Sequence, residues 1–143
     1  MSTAKPLPDS VLFVCSLNSI RSPMAEALMK DMHGENVYVQ SGGLEAGELN
    51  DLMVAVMGEK KLDLSGHSSK VLHDLGDTNF DVVICFTAEA RDAAQAVFED
   101  SDAQILFWPV PDPTAGAGDV RAMMDNFRAV RDNIAMRIRR EFG

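Results

Sequence analysis

Three short runs, SVLFVC at 10–15, DVVICF at 81–86 and AQILFW at 103–108, are apolar at almost every position rather than at every second one. An alternating strand suits a sheet with one wet face; a continuously apolar strand must be covered on both. With NVYVQS at 36–41, closed by Gly42 and Gly43, they predict four strands. Between them the spacing becomes helical. Residues 22–33 place Met24, Ala25, Leu28, Met29 and Met32 on one stripe, ended by Gly34. Asn50–Lys61 reads as a helix capped by Asn50 or Asp51, and Thr87 caps another through Glu99, with Ala90, Ala94, Val97 and Phe98 inward. Asp119–Arg140 carries Val120, Met123, Phe127, Val130, Ile134 and Ile138 at steps of three and four. Four alternations of strand and helix predict an α/β fold: a single domain with a four-stranded parallel sheet flanked by helices on both faces. Residues 1–9 read as a loose leader and 10–143 as the domain.

Composition narrows the function. At 143 residues the chain can bury a full core without disulfides or a structural metal. Two cysteines, Cys15 and Cys85, and three histidines show no zinc-like spacing, so no metal is expected. No apolar stretch is long enough to span a membrane, and the first residues lack a signal-peptide core, which points to the cytoplasm. The net charge of −9 argues against nucleic acid and anionic membrane as partners. The charge is uneven: residues 121–143 carry +3 and the rest −12. The basic end reads as a solvated helix face, with docking of an acidic partner as the alternative.

In such sheets ligands bind at the carboxyl ends of the strands. Cys15 ends the first strand there, and PVPDP follows the fourth. Between Cys15 and Arg21 lie five residues, and a helix start follows. Ser16, Leu17, Asn18, Ser19 and Ile20 can wrap so that successive backbone N–H groups point inward and hold a tetrahedral oxyanion. Arg21 adds a guanidinium fork. The same field favours a thiolate at Cys15, beneath the bound anion and aligned for in-line attack. Ser22 can donate its hydroxyl to the sulfur, and Pro23 suits a first helical turn.

VLFVCSLNSIRSPMAEAL resembles the N-terminal signature of the low-molecular-weight protein tyrosine phosphatases, V-C-x-G-N-x-C-R-S-P-x-A-E. The likeness continues through Asn36–Glu48, LDLSGHSS at 62–69, VPDP at 110–113 and Phe127–Ile138. Arsenate reductases built on the same fold share most of these features. The resemblance implies Cys15 as nucleophile. It implies Arg21 and the amides of Ser16 to Arg21 as oxyanion ligands, Ser22 as thiolate stabiliser and Asp112 as general acid. It also implies that hydrogen bonds from Ser41 and His67 hold Asn18 in an unusual backbone conformation. Spacing alone leaves Asp112 as readily a turn residue between two prolines, and His67 an ordinary packed histidine.

Three departures bear on this reading. Leu17 stands where the family has glycine, and is expected to pack outward against a neighbouring loop. Ile20 replaces a second cysteine. Thr114 and Ala115 follow Pro113 where aromatic residues are usual, and the loop after Ser41 lacks Trp or Tyr. Cys85 reads as a buried core residue rather than a resolving thiol. Of Phe107 and Trp108, one should pack in the core and the other line the pocket mouth. The expected function is a cofactor-free phosphatase acting on phosphoprotein or small aryl phosphates through a cysteinyl-phosphate. The alternatives are an arsenate reductase with an external thiol donor, or a weakly active oxyanion-binding module.

Overall fold

The computed structural model describes residues 6–75, 79–116 and 118–143. Four parallel strands, β1 (Ser10–Cys15), β2 (Tyr38–Gly43), β3 (Val82–Cys85) and β4 (Gln104–Phe107), lie in the order β2-β1-β3-β4. Every residue of β1 is buried, which explains its unbroken apolar run. Helices α1 (Arg21–His33), α2 (Asp51–Gly58) and α4 (Val120–Phe142) share one core with the sheet face carrying Val11, Phe13, Cys15 and Ile84. Helix α3 (Ala88–Val97) and a 3-10 turn, Leu72–Leu75, cover the other, with Leu12, Val14, Val83 and Cys85. The expected α/β fold, a four-stranded parallel sheet with helices on both faces, is therefore present.

Three helices start on a side chain that accepts a backbone N–H: Asn50 from Met53, Thr87 from Ala90 and Asp119 from Ala122. The sequence marks Thr87 as a cap, offers Asn50 or Asp51 for α2, and puts the start of α4 at Asp119. Helix α2 is shorter than the expected Asn50–Lys61 because it closes in a Schellman turn. Lys61 takes the left-handed φ of 63°, and Leu62 N–H donates to the Met57 carbonyl at 3.1 Å. Val120 opens the apolar stripe of α4 in the sequence but is 69% exposed; that stripe is buried from Phe127 to Ile138. Arg131, on the same helix, is buried. It bonds the Val56 carbonyl and Glu59, so α2 and α4 are clamped by charge as well as by apolar contact.

Two boundaries move. Residues 1–5 of the expected leader lie outside the described residues. Within 6–9, Leu7 packs against the core and the Asp9 carbonyl accepts from Tyr38 N–H at 2.9 Å. Gly42 and Gly43, read as a break, continue β2 and pair with Val14 and Cys15. Gly43 is glycine for lack of room, whereas at Gly42 a Cβ would meet only the tip of the Leu75 side chain at 3.0 Å and ordinary backbone contacts. A Cβ on Gly43 would lie 2.6 Å from Asn18 N, 2.7 Å from Glu45 O and 2.8 Å from Leu17 C, all backbone atoms. Gly43→Ala should therefore cost about 1–3 kcal/mol of stability and weaken phosphate binding, read by urea unfolding and by phosphate titration. A variant as stable as the parent would show that the backbone has room to give.

Candidate active site

The chain leaves β1 at Cys15 and turns at once into the loop that ends at α1. The segment after β2 wraps the outside of this loop. Amides of Leu44, Glu45, Gly47 and Asn50 donate to the carbonyls of Cys15, Ser16, Leu17 and Ser19 at 2.8–3.3 Å. Four carbonyls between Cys15 and Ser19 are thereby taken up by the wrapping segment. None of the amides of residues 16 to 21 donates to an acceptor among the described residues. Helix α1 begins at Ile20 with no side-chain cap, unlike the other three α-helices, and no acid lies in its first turn. Unpaired amides ahead of an uncapped helix N-terminus are the features an anion nest requires.

Asn18 holds the loop. It is fully buried with a φ of 52°, in the left-handed region that asparagine tolerates. Its Oδ1 accepts from Lys70 N–H at 2.8 Å and from His67 Nε2 at 3.2 Å, and its carbonyl accepts from Ser69 Oγ at 2.8 Å. A backbone N–H can only donate, so the Lys70 contact fixes which side of the amide is oxygen. Nδ2 then donates to Ser22 Oγ at 2.8 Å and to Ser41 Oγ at 2.9 Å. Ser41 thus accepts from Asn18, opposite to the direction the resemblance implied.

The reason is Glu26, a residue to which the sequence reading assigned no role. This buried carboxylate accepts the Ser41 hydroxyl proton and is balanced by Lys30 Nζ at 2.6 Å. A carboxylate only accepts, so the proton order is set along the chain Glu26, Ser41, Asn18, Ser22. Ser22 Oγ, already receiving from Asn18, lies 2.8 Å from Cys15 Sγ, a contact in which either atom can donate, and 3.4 Å from the Gly42 carbonyl, to which its hydroxyl can donate. The signal for Glu26 was its spacing. It lies one helical turn beyond Ser22 and one before Lys30, in a polar row beside the apolar stripe.

Arg21 projects from the start of α1, and its Nη1 donates to the Val110 carbonyl at 2.8 Å. That bond ties the loop to the segment carrying Asp112. Asp112 is exposed, and its Oδ1 accepts both the amide and the hydroxyl of Thr114, at 2.9 and 2.7 Å. Burial pushes its carboxyl up, but these two bonds and the Arg21 charge outweigh it and leave it below the ordinary carboxylate range. Thr114, Ala115 and Gly116 are exposed beside it.

The cysteines separate. Cys15 faces the core shared with α1, whereas Cys85 faces α3, its thiol pushed by burial up to about 12. Ile20 packs against the first core in place of a neighbouring thiol. Trp108 is buried against Phe13, Phe86 and Phe142. Phe107 pairs with Cys85 across the sheet and is half exposed beneath the Arg91 guanidinium, 4.7 Å from its ring centre. It therefore lies on the α3 side of the sheet. Among the described residues no group of three or more His, Cys, Asp or Glu could hold a metal ion, and no helix is long and apolar enough to cross a membrane.

His67 is held neutral. Burial lowers its pKa from the ordinary 6.5; Glu26 pulls it up, while Lys70 and Lys30 push it down. Its neutral form matches the folded state, so its contribution to stability is present above pH 6.5 and is lost as pH falls through the folded value. Proton NMR should show His67 titrating below 6.5, and Glu26→Gln, which removes the upward pull, should lower the midpoint further. A midpoint above 7 in the parent protein would contradict this electrostatic picture.

Comparison with known proteins agrees with this architecture. The family model described as low molecular weight phosphotyrosine protein phosphatase matches residues 10–141. A glutaredoxin arsenate reductase of Synechocystis is 31% identical over 133 residues, 90% of this chain and 92% of the relative. Among solved structures, an arsenate reductase in the phosphate binding state superposes with a TM-score of 0.75 at 28% identity, covering 92% of this chain and 95% of the other. The YwlE arginine phosphatase from Geobacillus stearothermophilus gives 0.77 at 27%, covering 93% and 90%. With nearly its whole length matched, the chain belongs to the low molecular weight phosphotyrosine protein phosphatase family.

Proposed function

We propose that this protein is a cysteine-dependent phosphatase that acts on phosphomonoesters, protein phosphotyrosine or aryl phosphates, through a cysteinyl-phosphate. The observation that carries this reading is the bond from Arg21 to the Val110 carbonyl. It brings the segment bearing Asp112 against the loop bearing Cys15. Nucleophile, oxyanion ligands and a carboxyl group then share one strand edge.

The phosphoryl oxygens of the substrate sit among the amides of Ser16 to Arg21 and the Arg21 fork. Cys15 Sγ attacks phosphorus from below, and the bond to the leaving oxygen breaks on the opposite side. Asp112 gives that oxygen its proton. In the free protein Asp112 is a carboxylate. The arriving phosphoryl group adds negative charge beside it and offsets the pull of Arg21, which raises its affinity for a proton. In the second half, Asp112 takes a proton from water as the water oxygen attacks phosphorus. The S–P bond breaks, and the Ser22 hydroxyl supports the departing thiolate. The fixed charges of Arg21 and the amides do the work that a metal does in other phosphatases, so no cofactor enters this reading.

A second reading, arsenate reduction, is favoured by the names of the relatives. Arsenate is a tetrahedral oxyanion of the same charge class. Thiolate attack would form a Cys15–arsenic bond with loss of hydroxide. A second thiol attacking Cys15 sulfur would then form a disulfide and release arsenite, two electrons passing to arsenic. Cys85, on the other face of the sheet, is poorly placed as that thiol, so the donor would be external, a small thiol or a glutaredoxin-type protein.

Two experiments test the phosphatase reading. Iodoacetate at pH 6 should label Cys15 well before Cys85, and phosphate should protect it. Asp112→Asn should lower phosphotyrosine turnover by about 100- to 10,000-fold and p-nitrophenyl phosphate turnover less in the first cycle, because nitrophenolate leaves without a proton. Equal first-cycle losses across phenols of different basicity would remove Asp112 as the acid. Arsenite formation that needs both Cys15 and an added thiol, without phosphatase activity, would favour the second reading.

A further inference from the structure

Leu17 is the residue at which the anion loop departs most from the family pattern. Its carbonyl accepts from Gly47 N–H at 2.8 Å. Its side chain lies across Gly47. A Cβ on that glycine would sit 2.9 Å from Leu17 Cβ and 3.5 Å from Cδ1. The leucine is thus accommodated by a glycine in the wrapping segment and points away from the loop interior. It nonetheless stays 45% exposed, at the rim of the nest.

Other apolar candidates at this rim are withdrawn. Leu44 is partly buried against the α3-side core, and Leu49 and Ile20 are partly buried against the other. Phe107 lies on the α3 side under Arg91, and Trp108 is buried. The segment after Asp112 offers Thr114, Ala115 and Gly116. Leu17 is thus the exposed large apolar side chain of the loop and the segment that wraps it.

We propose that Leu17 is a specificity-determining residue, its exposed face forming the apolar wall against which an uncharged aryl or alkyl group of the bound oxyanion ester packs. This deepens the phosphatase reading and rests on the loop's binding of oxyanions, but not on turnover. An aliphatic wall supplies contact area without the stacking geometry of an aromatic one. It favours ligands by apolar area and is indifferent to whether the ring is that of tyrosine.

Protection of Cys15 from iodoacetate tests this without catalysis, with inorganic phosphate, methylphosphonate and phenylphosphonate as probes. In the parent protein phenylphosphonate should protect at lower concentration than methylphosphonate. In Leu17→Ala the ratio of the two protective concentrations should shrink roughly fivefold, the scale of losing a few tens of Å² of apolar contact. Leu17→Met should restore most of it. Taking a ratio cancels any general change in loop shape. An unchanged ratio in Leu17→Ala, or failure of Met to restore it, would overturn the proposal while leaving the oxyanion loop intact. Absence of protection by all three probes in the parent protein would remove the oxyanion loop itself, and the Leu17 role with it.

Discussion

One buried asparagine decides whether the anion loop exists. Asn18 sits in a left-handed backbone conformation that most residues resist, and every polar atom of its side chain is engaged. Residue by residue, the loop is a poor structure: its amides make no internal bonds. What holds it open is Asn18 on the inside and the amides of residues 44 to 50 on the outside. Preorganisation of this kind lets the amides meet a tetrahedral anion without first being pulled from other partners. The cost of leaving those donors unpaired in the free protein falls on the rest of the fold.

The hydrogen-bond chain through Asn18 has a direction, and the direction comes from charge. Glu26 is a buried carboxylate, which is tolerable because Lys30 pairs with it. Since it can only accept, the Ser41 proton points toward it, and the two N–H groups of Asn18 are spent on two hydroxyl oxygens. Ser22 then keeps its own proton free for either the Gly42 carbonyl or the Cys15 sulfur 2.8 Å away. On the far side of the loop Arg21 supplies a positive charge and, through Val110, fixes where Asp112 can stand.

Much of this was legible in the sequence because it depends on local rules. The apolar runs place four strands, and Asn50, Thr87 and Asp119 mark three helix starts. The spacing of Cys15 and Arg21 between a strand and a helix locates the nest. What the sequence did not disclose involves close approach or proton direction. Gly42 and Gly43 read as a break, yet they are strand residues, and the missing side chain of Gly43 lets β2 approach the loop. Glu26 sits in the polar row Ser22, Glu26, Lys30 beside the apolar stripe of α1, where its burial is visible only once Ser41 is seen beside it. The compensation of Leu17 by Gly47 joins two residues thirty apart with no pattern to link them. The opposite facing of Cys15 and Cys85 follows from sheet register, since Cys85 pairs with Val14 rather than with Cys15.

The central claim is that the loop presents Cys15 sulfur to a bound tetrahedral anion in line for attack. Exchange of oxygen between isotopically labelled inorganic phosphate and water tests it with no assumption about the natural substrate. The sulfur must attack phosphate, expel water to form cysteinyl-phosphate, and let water return. The account predicts exchange catalysed by the protein, abolished in Cys15→Ser and strongly reduced in Asp112→Asn. Exchange that persists in Cys15→Ser, or phosphate that binds the loop with no exchange at all, would contradict it.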